Sequence, residues 1–189
     1  MDYILSDLKN HFSYSYMTSS GYIAISIMVI FCLLVVLLIP GRKFSDRLLL
    51  TIFFGFMFGV YSLTILMRSY RVVYRSIILQ PFYWYTTLKQ AGDPKRAWLA
   101  FENLLMLMFP AFILGIILRN LKTVKRVLLI TFIMGAFSLT IEYTQLWFNI
   151  GVFEIDDFLC NTFGALIGAL IAVCFTKLPF FKKELKGPA

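Results

Sequence analysis

Five long apolar runs, separated by short polar segments, set the pattern of this chain. The runs cover residues 21–40, 48–67, 98–118, 127–148 and 158–176. Each has the roughly 17–25 residues that an α-helix needs to cross a hydrocarbon core about 30 Å thick. We find neither an internal repeat nor a linker long enough to separate domains. The pattern therefore predicts a single all-α membrane domain over residues 1–189, a polytopic bundle of about five transmembrane helices.

The composition also indicates a membrane protein. Hydrophobic residues make up 60% of the 189 residues and charged residues only 15%, which leaves too few polar side chains to cover a soluble domain. Residues 1–20 lack the basic start and short apolar core of a cleavable signal, so we expect the first run to be retained. Cys32, Cys160 and Cys174 lie in or beside apolar runs and are predicted to pack as small apolar side chains. The cysteines suggest neither a disulfide framework nor a thiolate metal cluster, and no cofactor is predicted.

Lysine and arginine are unevenly divided between the two ends of the predicted helices. The segments after the first, third and fifth runs hold three, four and four of them, eleven in all, against seven in the remaining segments. Basic residues in short loops stay on the cytoplasmic side. We therefore predict that the N-terminus lies outside and the C-terminus in the cytoplasm. The net charge of +8 follows from this asymmetry and favours contact with anionic membrane lipids rather than with nucleic acid.

The segment from residue 68 to 97 combines basic and aromatic side chains. Arg68, Arg71 and Arg75 precede an aromatic patch at residues 81–85. One interpretation is an aromatic belt at the outer interface, with basic side chains reaching lipid headgroups. The other is a basic cap over a phosphate-bearing ligand, whose arginines make bidentate contacts. The sequence leaves both open.

Polar residues recur on one face of the fourth run, at Ser138, Glu142, Gln145 and Asn149. Glu142 lies six residues before the end of that run, and so roughly 10 Å below the outer surface. A carboxylate within a bilayer is costly, and such residues are usually paired and functional.

Two further polar clusters are expected at the same depth. Glu102 and Asn103 lie near the outer end of the third run, and Asp157 and Asn161 near that of the fifth. The three clusters are predicted to converge on one outward-facing site.

Each of these residues also has a structural interpretation. The amides, and Gly164 with Gly168, can serve helix packing alone. Glu142 suits a proton donor, an acid/base group or a partner for an arginine of the 68–97 segment. Asp156 or Asp157 can cap the fifth helix, or can join Glu154 in holding a divalent cation.

The residues around the acidic turn resemble the signature of the VanZ-like membrane proteins. That signature joins an I-E-x-x-Q helix to an acidic D-D pair and then N-T-x-G. Here it reads Ile141-Glu142-Tyr143-Thr144-Gln145, then Asp156-Asp157, then Asn161-Thr162-Phe163-Gly164. Looser upstream elements match Arg68 or Arg71, Pro81-Phe82, Asn103 and Pro110. The resemblance covers about residues 68–176, which lie within about the last 120 residues of the chain.

The resemblance implies a multi-pass bacterial plasma-membrane protein that lowers susceptibility to teicoplanin and related lipoglycopeptide antibiotics. These antibiotics act outside the cell on lipid-bearing cell-wall precursors, which agrees with an outward-facing site. We expect a membrane lipid, a lipid-linked precursor or the lipoglycopeptide to bind there. The expected ligand-binding residues are Arg68, Arg71, Glu102, Asn103, Glu142, Gln145, Asp156, Asp157 and Asn161.

Two other functions stay open. A membrane enzyme could use Glu142 or Asp157 as acid/base on an envelope lipid or glycan. However, the single histidine, His11, is in the N-terminal segment, and no Ser-His or Cys-His nucleophile is evident. A proton-coupled transporter could use Glu142, although five spans without a repeat argue against it.

Overall fold

The computed structural model describes residues 44–66, 75–92 and 94–178, together with Ile27, Ile30 and Leu34, which are helical. The rest of the predicted first run lies outside the described residues, as do Arg68 and Arg71. The chain divides into two compact units, residues 1–73 and 74–189.

The first unit contributes one described helix. Helix α1, Phe44–Tyr61, continues into a wider π-helical turn at Ser62–Leu66. The two together form an apolar segment of 23 residues, long enough to cross a membrane. Asp46 lies in the first turn, where a negative charge is favourable beside the positive end of the helix dipole.

The described residues of the second unit form three long helices, one short helix and a two-stranded parallel pair. The long helices are α3, Lys95–Ile117, α4, Thr123–Phe148, and α5, Ile155–Lys177. The short elements are β1, Ile77–Ile78, α2, Tyr83–Ala91, and β2, Phe153–Glu154. The long helices of this unit and α1 are the four helices of the described residues that are long and apolar enough to cross a membrane. The predicted all-helical class is therefore confirmed for the described part of the chain, and the strands add only a short bridge.

Helices α3 and α5 run parallel, and they pack closely because two glycines of α5 lie directly against the backbone of α3. A Cβ atom added to Gly164 would lie 1.9 Å from the carbonyl oxygen of Leu104, and one added to Gly168 would lie 2.1 Å from that of Met108. No side chain fits into such a gap. The predicted role of Gly164 and Gly168 in close helix approach is confirmed.

Candidate functional site

Residues 75–92, which contain β1 and α2, form a cap that lies on the turn between α4 and α5. We call residues 149–157 the acidic turn. Strand β1 pairs in parallel with β2, with Ile77 opposite Phe153 and Ile78 opposite Glu154. The Phe153 backbone N–H also donates to the Ser76 carbonyl at 3.1 Å. The cap is thus attached to the acidic turn by backbone hydrogen bonds.

Asp156 provides a second attachment through its buried carboxylate, which is 5% exposed. Its Oδ1 accepts from the Phe82 backbone N–H at 2.7 Å, and its Oδ2 accepts from the Trp84 N–H at 3.1 Å. Phe82, the N-cap residue of α2, adopts a left-handed backbone with φ of 59° and offers no side-chain cap. Asp156 therefore caps α2 from a distant part of the sequence, and the positive end of the α2 dipole favours its charge.

The expectation that Asp156 or Asp157 is the N-cap residue of the fifth helix is wrong. The N-cap residue of α5 is Glu154, whose side chain makes no capping hydrogen bond. Asp156 and Asp157 do lie in the first turn of α5, where the helix dipole favours negative charge. The carboxylate of Asp156 nevertheless bonds to α2, because the N-terminus of that helix lies against the acidic turn.

Two arginines also bind the acidic turn, Arg75 from the cap and Arg96 from the first turn of α3. Arg96 makes an ion pair with Glu154 at 2.8 Å, and its guanidinium lies 4.7 Å from the centre of the Tyr83 ring. Arg75 donates through Nε to the Asn149 side-chain oxygen at 3.2 Å. Each arginine thus binds a polar group of this chain, and Arg75 is also exposed. Both interpretations of the basic segment, lipid headgroups or a phosphate-bearing ligand, stay predictions.

Glu142 lies beneath the acidic turn and is 2% exposed. Its Oε2 accepts from the Glu154 backbone N–H at 3.1 Å. Ser138 and Gln145, on the same face of α4, are also buried. The predicted polar stripe on α4 is confirmed for these three residues, which face inward. Its fourth predicted member, Asn149, lies just beyond the helix as its C-cap residue and is half-buried.

Asn161 on α5 joins this stripe. Its Nδ2 donates to the Ser138 hydroxyl oxygen at 3.0 Å, which links α5 to α4. The Asn161 side chain is 1% exposed, and its Oδ1 has no hydrogen-bond partner among the described residues. A buried acceptor without a donor is costly, so this oxygen offers a place for a water molecule or a ligand N–H or O–H group.

The polar residues of α3 are half-buried. Glu102 accepts a short hydrogen bond from the indole N–H of Trp98, one turn earlier in the same helix. The convergence of Glu102 and Asn103 with Glu142 on one site stays a prediction.

The carboxylates of the acidic turn bind the cap and the start of α3. Glu154 pairs with Arg96, and Asp156 with the N–H groups of α2. Within the described residues no three His, Cys, Asp or Glu side chains come together as a metal-binding group. These contacts give no support to the alternative of a divalent cation at Glu154, Asp156 and Asp157.

Sequence reasoning missed the long-range partners of the acidic turn. Phe82 and Trp84 take part through their backbone N–H groups, which almost every residue type has, so the sequence does not reveal them. A usable signal was the lack of a capping side chain at the start of α2, since that helix needs a partner from elsewhere.

Long apolar helices with a buried polar stripe and a cap at one end define a multi-span helical membrane protein. The chain matches the model of the VanZ/LLP1 family over residues 27–176. It belongs to that family. This match begins at residue 27, whereas the motif resemblance described above begins only at residue 68. No curated protein and no solved structure matches the chain significantly.

Proposed function

We propose that this VanZ-like membrane protein lowers susceptibility to lipoglycopeptide antibiotics such as teicoplanin by binding a lipid or lipid-linked cell-wall component. The site lies on the outer face of the plasma membrane, at the end of the bundle that carries the cap. The basic asymmetry of the sequence supports this orientation.

One observation carries the proposal: an exposed stack of side chains beside the acidic turn. The rings of Tyr143 and Trp147 stack with their centres 6.2 Å apart. The exposed Arg75 guanidinium lies 5.8 Å from the centre of the Trp147 ring. Aromatic faces at a membrane interface suit the start of a lipid chain, and a guanidinium suits its phosphate.

Glu142 acts in this proposal as a positioning residue. It is buried and bonds to the Glu154 backbone, so it holds the acidic turn that in turn holds Arg75 through Asn149. This position favours binding over acid/base catalysis, because a group that acts on a substrate must reach it.

The test compares teicoplanin susceptibility and copurifying lipid in one bacterial host that lacks a related gene. Arg75→Gln is expected to raise susceptibility and to reduce the polyprenyl-phosphate or phospholipid found in the purified protein. Lys89→Gln, which removes an equally exposed charge from α2, is the matched control and should change neither. Equal susceptibility of the host with and without the wild-type chain would refute the phenotype. Equal lipid content of the two variants would refute the site.

A second variant tests the positioning role. Glu142→Gln keeps a side-chain carbonyl that can accept from the Glu154 N–H, so folding and insertion should be nearly normal. We expect the resistance phenotype to be lost, because the neutral amide accepts a weaker hydrogen bond than the carboxylate. Full activity of this variant would make the charge of Glu142 irrelevant.

A further inference from the structure

A second surface of the chain, at the opposite end of α4, has the form of a lipid site. A shallow, open groove of about 630 Å³ runs along the first turns of α4. Its lining residues are Lys122, Val124, Lys125, Leu128, Leu129 and Phe132. All six belong to α4 or to the residue before it.

The groove is charged at one end and apolar along the rest. Lys122 and Lys125 are exposed at the start of the helix. Below them lie exposed apolar side chains, with Leu128 at 65% and Phe132 at 74% exposure. Such exposed apolar surface is stable only against lipid tails or another apolar partner.

The length of the groove matches one leaflet of a bilayer. Ten residues separate Lys122 from Phe132, which is about 15 Å along a helix. A hydrocarbon core of about 30 Å gives each leaflet the same depth. If the headgroup of a lipid lies at the lysines, one of its acyl chains would therefore contact Leu128 and Phe132.

The local charge selects an anionic occupant. From residue 119 to residue 138 the sequence contains four basic residues and no Asp or Glu. No side chain caps the start of α4, so the positive end of its dipole faces the same region as the two lysines. Arg126, the next residue, is buried and donates to Thr176 of α5 at 3.0 Å, which places a further positive charge close by.

We propose that this groove binds an anionic phospholipid, with its phosphate between Lys122 and Lys125 and an acyl chain along Leu128 and Phe132. The site is separate from the cap and does not depend on the proposed antibiotic phenotype.

Native mass spectrometry of the full chain tests the charge requirement. The probes are palmitoyl-oleoyl phosphatidylglycerol and, as the zwitterionic comparison, the phosphatidylcholine with the same chains. Lys122→Gln combined with Lys125→Gln is expected to weaken phosphatidylglycerol binding about thirtyfold. Lys89→Gln combined with Lys177→Gln, which removes two exposed charges outside the groove, should leave it unchanged. Equal binding of the two lipids, or equal losses in the two double variants, would overturn the proposal.

A steric variant and a photoreactive lipid test the groove itself. Leu128→Trp keeps both lysines but fills the apolar part, so phosphatidylglycerol binding should fall while the fold is kept at this exposed position. A diazirine-bearing phosphatidylglycerol should label residues 128–132. Labelling confined to other segments would exclude the lipid from the groove. Crosslinking of a cysteine at Leu128 to another segment of the chain, or to a second copy, would assign the groove to that segment or copy instead.

Discussion

The Asp156 carboxylate accepts a hydrogen bond from the backbone N–H of Phe82 at 2.7 Å, across 74 positions of sequence. One side chain of the family signature thereby fixes the start of a helix in a different segment. The acidic pair of the signature thus has a structural role, because its first residue, Asp156, holds the cap that covers the polar end of the bundle.

Replacing Asp156 should loosen the cap. Asp156→Asn keeps one acceptor but turns an N–H₂ group toward one of the two backbone N–H donors, so at least one charge-assisted bond is lost. We expect a loss of about 1.5–3 kcal/mol in the free energy of unfolding. Hydrogen exchange should quicken at residues 82–91.

The neighbouring carboxylate provides the comparison for that measurement. Asp157→Asn removes the same charge from the same turn of α5 and should cost about 1 kcal/mol or less, with little change in exchange at residues 82–91. If both variants changed exchange in α2 equally, the negative charge of this turn would hold the cap, and not the two hydrogen bonds that Asp156 accepts. Loss of function in Asp157→Asn at unchanged stability would instead give Asp157 a charged role in ligand binding.

The ion pair between Arg96 and Glu154 should contribute modestly. Their side chains are 31% and 21% exposed, so solvent screens the 2.8 Å contact to some extent. A double-mutant cycle with Arg96→Met and Glu154→Gln should give a coupling free energy of about 0.5–1 kcal/mol, reduced in high salt. A coupling of zero at low salt would contradict a structural role for the pair. Arg96→Lys tests the Tyr83 contact, because an ammonium keeps the charge but not the flat guanidinium.

Adding a methyl group to Gly164 should separate α3 from α5. The new Cβ would lie 1.9 Å from a backbone oxygen that no side-chain rotation can move away. We expect Gly164→Ala to lose about 3 kcal/mol, the upper end of overpacking effects, in equilibrium unfolding.

Gly135→Ala on α4 is the matched control for that variant. Its nearest contact is the movable Thr162 side chain, at 3.2 Å. The gain in helix propensity of up to about 1 kcal/mol should offset this contact, leaving stability nearly unchanged. Similar losses at both glycines would mean that the α3–α5 contact is looser than described.

The orientation of the chain predicts a labelling pattern. In a variant without its three native cysteines, Lys89→Cys should react with a membrane-impermeant maleimide on intact cells, and Lys122→Cys should not. Both positions are exposed and lie at opposite ends of the second unit, so accessibility of the side chain is matched. The reverse pattern would place the cap in the cytoplasm and remove the basis for an outward-facing site.

The sequence predicted the long helices because their signal is local. The apolar runs beginning at 98, 127 and 158 correspond to helices that begin three or four residues earlier, at Lys95, Thr123 and Ile155. Hydropathy shows only where the apolar side chains begin, whereas a helix begins where the backbone adopts helical geometry. The polar first turns were therefore missed.

The polar stripe was predictable, but its partners were not. Ser138, Glu142 and Gln145 recur with the helical period, which identifies a shared face from the order of residue types alone. A carboxylate just before an apolar run reads as a local N-cap, because nothing in the sequence shows that the start of α2 lies beside it. The Asp156 contact and the β1–β2 pairing depend on segments about 75 residues apart, and such contacts leave no periodic pattern.

The cap and the Asp156 side chain that holds it are far apart in the sequence, and this fixes the order in which the parts of the fold can form. Residues 75–92 leave the ribosome well before the acidic turn, so the α2 N–H groups meet Asp156 only after α3 and α4 have been synthesised. Closing this contact spans a long stretch of chain and is slow compared with helix formation. An attached cap therefore indicates a chain synthesised at least as far as the start of α5, and a nascent protein that stalls before α5 presents a different surface from the finished one.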